Sequence, residues 1–142
     1  MSVSASSVQK VDFTLVSPEK HVLSEHVDMV VVPGDSGDFG VLPNHAATIS
    51  TLRPGLVTLF QGESKQHIFI TEGFVNVNET SCTVLAESVE FVEELNLEEI
   101  EDLYTKIQEE IAIARDDSEK RELKRSRELM FVKIQLLKKL SS

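Results

Sequence analysis

The chain has 142 residues, 41% of them hydrophobic and 27% charged, with a formal net charge of −10. That length fits one ordinary domain or two very small ones. The acidity argues against nucleic acid and against direct docking on anionic lipid, whose phosphates repel such a surface, and no run approaches the ~20 apolar residues of a membrane helix. Residues 1–9 read as a flexible tail, small and polar. They have neither the apolar centre of a secretory signal nor the arginines of a mitochondrial presequence, so the chain is either not exported or has lost a presequence.

Residues 10–93 read as a β domain. All six glycines and all four prolines fall here. Short apolar runs alternate at period two: Val11-Asp12-Phe13-Thr14-Leu15, then Val27-Asp28-Met29-Val30-Val31, Leu56-Val57-Thr58-Leu59-Phe60 and Phe74-Val75-Asn76-Val77. This is the pattern of half-buried strands. Breakers punctuate it at Ser17-Pro18, Pro33-Gly34, Pro43-Asn44, Pro54-Gly55, Gly62, Gly73 and Asn78-Glu79. Strands at this spacing predict an antiparallel β-sandwich of eight to ten strands. Cys82, the one cysteine, lies in the alternation Cys82-Thr83-Val84-Leu85 and reads as a small buried hydrophobe. A single cysteine allows no internal disulfide and points to a reducing compartment.

Residues 94–142 change period and contain neither Gly nor Pro. Asn96 is a good N-cap, with Glu99 in the capping-box position. Leu97, Ile100, Leu103, Tyr104, Ile107, Ile111 and Ala114 then recur at helical spacing. A polar break at Arg115-Asp116-Asp117-Ser118 follows, in which Asp116 or Ser118 caps a second helix. Its stripe is Leu123, Met130, Ile134 and Leu137, broadened by Phe131, Val132, Leu136 and Leu140. Residues 93–117 hold ten acids and two bases, and residues 118–142 hold eight bases and three acids. Opposite charge and a short connection predict an antiparallel helical hairpin. Exposed ion pairs contribute little, so the apolar stripes carry its stability. The fold class is therefore α+β: a sandwich followed by a two-helix hairpin.

No catalytic constellation stands out. Gly34-Asp35-Ser36-Gly37 spells the nucleophile signature of chymotrypsin-like proteases, but those enzymes need two barrels and an upstream base histidine. The chain is too short for that, and a glycine-rich turn explains the tetrapeptide. His21, His26, His45 and His67 form no HxH or HExxH pair, so no metal site is expected. There is no GxxxxGK[ST] loop and no GxSxG elbow. The acids at residues 98–102 have the spacing of a solvated helix face. Catalytic, metal and cofactor residues are all expected to be none.

One segment is more specific: Gly37-Asp38-Phe39-Gly40-Val41-Leu42-Pro43-Asn44-His45-Ala46, followed at short distance by Leu52-Arg53-Pro54-Gly55. It resembles the signature of the ATP synthase epsilon family, called epsilon in bacteria and chloroplasts and delta in mitochondria. Leu15-Val16-Ser17-Pro18-Glu19 is similar to the family's opening strand, and the order of β half and helical half agrees. The resemblance covers residues 11–140. Glu72-Gly73-Phe74 departs from the family's usual Gly-Gly. Ile100-Glu101-Asp102-Leu103-Tyr104-Thr105-Lys106 lacks the arginine of members that bind regulatory ATP, so no nucleotide site is expected and Mg-ATP should bind weakly or not at all.

The resemblance implies a non-catalytic central-stalk subunit, one copy per complex, that links the gamma shaft to the membrane c-ring, couples proton flow to ATP synthesis and bears on the regulation of hydrolysis. It implies ring or shaft contacts at Asp38, Phe39, Asn44, His45 and Ala46, with Gly37, Gly40 and Pro43 forming turns. It also implies contact of the hairpin with the alpha/beta head and an indirect place at the membrane. That place would be the cytoplasmic face of a bacterial membrane, or the matrix face of the mitochondrial inner membrane. Composition alone leaves open an adaptor or chaperone-like β-sandwich module with a helical appendage.

Overall fold

Alternating apolar side chains build the first strand of the computed structural model, which describes residues 9–18 and 20–141. The expected tail, Gln9 apart, and Glu19 lie outside them. In β1 (Val11–Ser17), Val11, Phe13 and Leu15 point inward and Asp12 stays exposed. The same two-residue period carries β2 (Lys20–Val27), β3 (Met29–Gly34), β4 (Gly37–Val41), β5 (Thr48–Leu52) and β6 (Gly55–Gln61). It continues through β7 (Ser64–Ile70), β8 (Gly73–Val77), β9 (Ser81–Ala86) and β10 (Val89–Phe91).

The ten strands form one sheet that curls into a sandwich, in the order β10-β7-β6-β3-β5-β8-β9-β1-β2, with β4 on the other edge of β3. The pairing is antiparallel except for β1 against β9, which run parallel. The layers close on Phe13, Leu15, Val30, Val32, Val57, Ile68, Ile70, Val75 and Val84, all buried. Cys82 is buried with them, and desolvation pushes its thiol up to about 12, so it behaves as the expected small hydrophobe.

The curl is made at β3. Met29, Val30 and Val31 pair with β6, whereas Gly34 pairs with Leu52 of β5. Between them sits Pro33, which has no N–H to give a ladder, and its carbonyl accepts from Arg53 N at 2.9 Å. The Pro33-Gly34 breaker is thus a change of partner rather than a loop.

The run from Val27 to Val31, expected as one strand, is divided at Asp28. Lys10 Nζ donates to the Asp28 carboxylate at 2.5 Å and Gly62 N–H at 2.7 Å, while Asp28 N donates to Phe60 O at 2.8 Å. The lysine and the amide hold the Asp28 carboxyl below its usual range, the lysine hydrogen bond being the larger cause. A residue bonded to two other segments forms a corner, so the chain leaves β2 for β3 there.

Gly73 has no room for a side chain. A Cβ would overlap the Leu85 carbonyl oxygen and approach Ala86 Cα to 2.9 Å, and both are backbone atoms of the adjacent strand β9. Gly73→Ala is expected to cost about 1–3 kcal/mol of stability in urea denaturation, the usual range for overpacking. A variant as stable as the parent would contradict this.

Contact clustering divides the chain into two compact units, Met1–Glu90 and Phe91–Ser142. In the second, a 3-10 turn (Val92–Glu94) leads to α1 (Leu97–Ile113) and α2 (Asp117–Ser141). Asn96 caps α1, its side-chain oxygen accepting from Glu99 N at 3.1 Å. Asp116 opens α2, accepting from Ser118 N at 3.2 Å. The helices run antiparallel: Glu101 lies 3.5 Å from Lys138, the rings of Tyr104 and Phe131 are 6.4 Å apart, and Arg127 donates to Gln108 at 2.9 Å. Ile100 and Ile134 are their buried residues. No helix among the described residues is long and apolar enough to cross a membrane.

Candidate functional site

The Gly37 to Ala46 segment begins at a hairpin. Gly34 and Gly37 face each other across the two-residue loop Asp35-Ser36. Gly37 has φ 137°, a backbone that side chains rarely adopt. A Cβ on Gly34 would come within 3.0 Å of the Phe39 ring and 2.9 Å of the Gly37 carbonyl. Small residues are required here by geometry, and Ser36 is an exposed loop residue with no base beside it. Gly40, expected to form a turn, lies inside β4 opposite Val31. A Cβ there would make only ordinary contact with Met29, so the position is a strand position.

Asp38 stands at the start of β4, with its side chain 61% exposed. Arg53 Nη2 donates to Asp38 Oδ1 at 2.6 Å, and Arg53 Nη1 donates to the Gly34 carbonyl at 2.5 Å. Thr51 Oγ1 donates to the Asp35 carboxylate, and Asp35 N donates to Thr51 O at 3.3 Å. The acidic tip of the hairpin is thereby bound to the end of β5. Arg53 belongs to the Leu52-Arg53-Pro54-Gly55 motif, but nothing in the spacing assigns it a partner. Fifteen residues separate it from Asp38, and only the pairing of β3 with β5 closes that gap.

The segment ends at a second turn. His45 N donates to Leu42 O at 3.2 Å across Pro43 and Asn44, and Asn44 has φ 65°. Proline followed by a residue of positive φ is the pattern of a type II turn, where asparagine or glycine is favoured. Asn44 N donates to Glu79 O at 2.7 Å, and Asn44 Nδ2 donates to Gln9 Oε1 at 2.6 Å, so the turn is fastened to the β8–β9 connection. Asn44, His45 and Ala46 line a shallow groove with Asn78, Glu79 and Thr80. His45 Nδ1 lies 2.7 Å from the Ala46 carbonyl, and its ring stacks on Phe39 at 6.4 Å. The expected contact residues therefore form two clusters. Asp38 sits at the hairpin end of β4, and Asn44, His45 and Ala46 at its other end, with Phe39 between them.

A third feature has no counterpart in the sequence motif. On the outer face of the β5–β8–β9–β1 layer, Phe74 lies opposite Leu85, Leu85 opposite Val16, and Ile49 one pair further along. Ile49 is 78% exposed, Phe74 50% and Leu85 42%. A groove of about 840 Å³ continues this strip to Asp35 and Thr51 at the hairpin tip, flanked by Glu72 and Glu87. Three large apolar side chains side by side on an outer face mark an interaction surface more than chance exposure does. Period two locates Phe74 on a strand face but does not say that this face stays open.

No group of three or more histidine, cysteine or carboxylate side chains that could hold a metal occurs among the described residues. His67 is held below its usual pKa, first by burial and then by Lys65, and lies 3.0 Å from Thr58 Oγ1.

Known proteins bear on these surfaces. The family model for the ATP synthase delta/epsilon chain beta-sandwich domain matches residues 10–92. The chain is 40% identical over 111 residues to the ATP synthase epsilon chain of Maricaulis maris, covering 78% of this chain and 84% of that one. To the ATP synthase epsilon chain of Rhodospirillum centenum it is 42% identical over 120 residues, covering 80% and 82%. The fold is shared with a chain of the Euglena gracilis mitochondrial ATP synthase at a TM-score of 0.75 and 20% identity, over 94% of this chain and 82% of that one. A chain from the central stalk and c-ring of the Tetrahymena thermophila enzyme shares it at 0.57 and 12% identity, over 94% and 98%. The chain belongs to the ATP synthase delta/epsilon chain family.

Proposed function

We propose that this chain is a non-catalytic central-stalk subunit of a rotary ATP synthase, turning with the shaft and passing torque between the membrane ring and the catalytic head. The observation that carries this is the open apolar strip of Ile49, Phe74 and Leu85, which runs on to the polar hairpin tip at Asp35 and Asp38. One surface is fit for a permanent protein partner and the other for a wet, polar one. The gamma shaft packs on the strip, and the groove at Asn44, His45 and Ala46 extends that grip. The hairpin tip rests on the polar loops of the c-ring. The helical hairpin, with its basic second helix, faces the alpha/beta head.

Two closely paired layers of strand make a stiff body, which torque transfer requires. A net charge of −10 keeps the chain off anionic lipid, so it reaches the membrane only through the ring. Its place is then peripheral, on the cytoplasmic face of a bacterial membrane, with one copy per complex.

The test is co-purification. Burying a phenylalanine side chain stabilises by about 1.5–3 kcal/mol, and a glutamate there leaves a charge in the interface. Phe74→Glu should therefore leave the isolated β unit folded, since residue 74 faces outward, and lower recovery with gamma at least tenfold. Undiminished recovery with gamma would overturn the assignment of the strip to the shaft.

A further inference from the structure

We propose that Arg53 is the positioning residue of the β3–β4 hairpin, holding its tip at a fixed angle for the ring; this rests on the ring-facing role of the tip proposed above. A two-residue loop at the end of a sheet has little of its own to hold it. Beyond Gly34, β3 has no further partner on the β5 side, because Gly34 with Leu52 is the last pair of that ladder. The tip would hinge there. Arg53 closes the hinge with a planar fork: Nη1 on the carbonyl that ends β3, Nη2 on the carboxylate that begins β4. Its backbone N is tied to Pro33 O, so the fork is anchored one residue before the hinge. Thr51 reaches Asp35 from the same strand end.

Each bond spans β5 and the hairpin, and together they fix both its strands. The arginine fork is suited to two acceptors at once, whereas a lysine ammonium is a point charge on a flexible stem. With a side chain 43% exposed, Arg53 is too wet to be a main source of stability. What it contributes is the direction of the tip. A loosely held tip still folds and still binds, but it yields under torque.

The assembled ATP synthase in sealed vesicles tests this through protons pumped per ATP hydrolysed, with the melting temperature of the isolated subunit measured alongside. Arg53→Lys keeps the charge and removes the fork. We expect it to lower the pumping ratio at least twofold, to shift melting by no more than a few degrees, and Arg53→Gln to do the same. Ser36→Trp places bulk on the exposed tip and tests the ring contact by itself. If Ser36→Trp uncouples while Arg53→Lys pumps as the parent does, the positioning role is overturned and the ring contact stands. If Ser36→Trp also pumps as the parent does, the tip does not meet the ring and both fall. Melting that drops steeply in Arg53→Lys with an unchanged ratio makes Arg53 a structural residue only and likewise overturns the proposal.

Discussion

Phe13→Ala is expected to lower the unfolding free energy of the β unit by about 3–5 kcal/mol, the usual range for removing a fully buried phenylalanine. Phe13 is 1% exposed and heads the largest fully buried side chains of the core. It lies on β1, with Glu25 of β2 on one side and Cys82 of β9 on the other. Strands bonded on both sides cannot shift inward to fill the space left, so the lost burial and the cavity both count. Since small domains are stable by only about 5–15 kcal/mol, such a loss takes much of the total. The exposed neighbour Asp12→Ala is the control. Its carboxylate pairs only with His26, at 2.5 Å on the surface, and such pairs contribute about 0–1 kcal/mol. Urea unfolding of the two variants measures the difference. A loss below about 1 kcal/mol for Phe13→Ala would mean that β1 is not packed as described.

The second large effect is on coupling rather than stability. Asp38→Lys should leave the isolated subunit folded, weaken assembly with the ring about tenfold, and lower ATP-driven proton pumping more than ATP hydrolysis by the soluble head. The variant loses the bond to Arg53 and sets a second cation beside it. Both groups are well exposed, so water and salt screen the change, and the isolated subunit should lose only about 1 kcal/mol or less. At a ring contact the same reversal meets polar loop groups at close range, where like charges also reject the partner, and about 1.4 kcal/mol is tenfold in affinity. Asp38→Asn keeps an acceptor for Arg53 and adds no repulsion, so it should cost less than Asp38→Lys. Thermal melting compared with pumping in reconstituted vesicles separates the two roles of the carboxylate. Unchanged pumping in a folded Asp38→Lys protein would remove Asp38 from the ring contact.

The sequence by itself determined what depends on neighbours along the chain. The change from period two to helical period separates strands from helices, because side-chain direction in each is set by local backbone geometry. Asn96 and Asp116 are legible as caps because a cap bonds its own next turn. Pro43-Asn44 is legible as a turn because proline fixes its own φ and asparagine tolerates a positive one. The ten-residue motif and the order of the two halves were enough to indicate the family.

Tertiary structure decided what depends on distant strands meeting. Asp28 continues an apolar run on paper, yet it is a corner because Lys10 and Gly62 converge on it. Gly40 has the composition of a turn and the position of a strand residue. The parallel pairing of β1 with β9 has no local signal, since period two is the same in either direction. Phe74 and Val75 look alike as apolar strand residues, and only the layering says that one is core and the other open surface. Arg53 meets Asp38 because β3 changes partner from β6 to β5 at a proline. Local propensity writes the elements, but the free energy that chooses among their pairings comes from burial and hydrogen bonds between segments far apart in the chain.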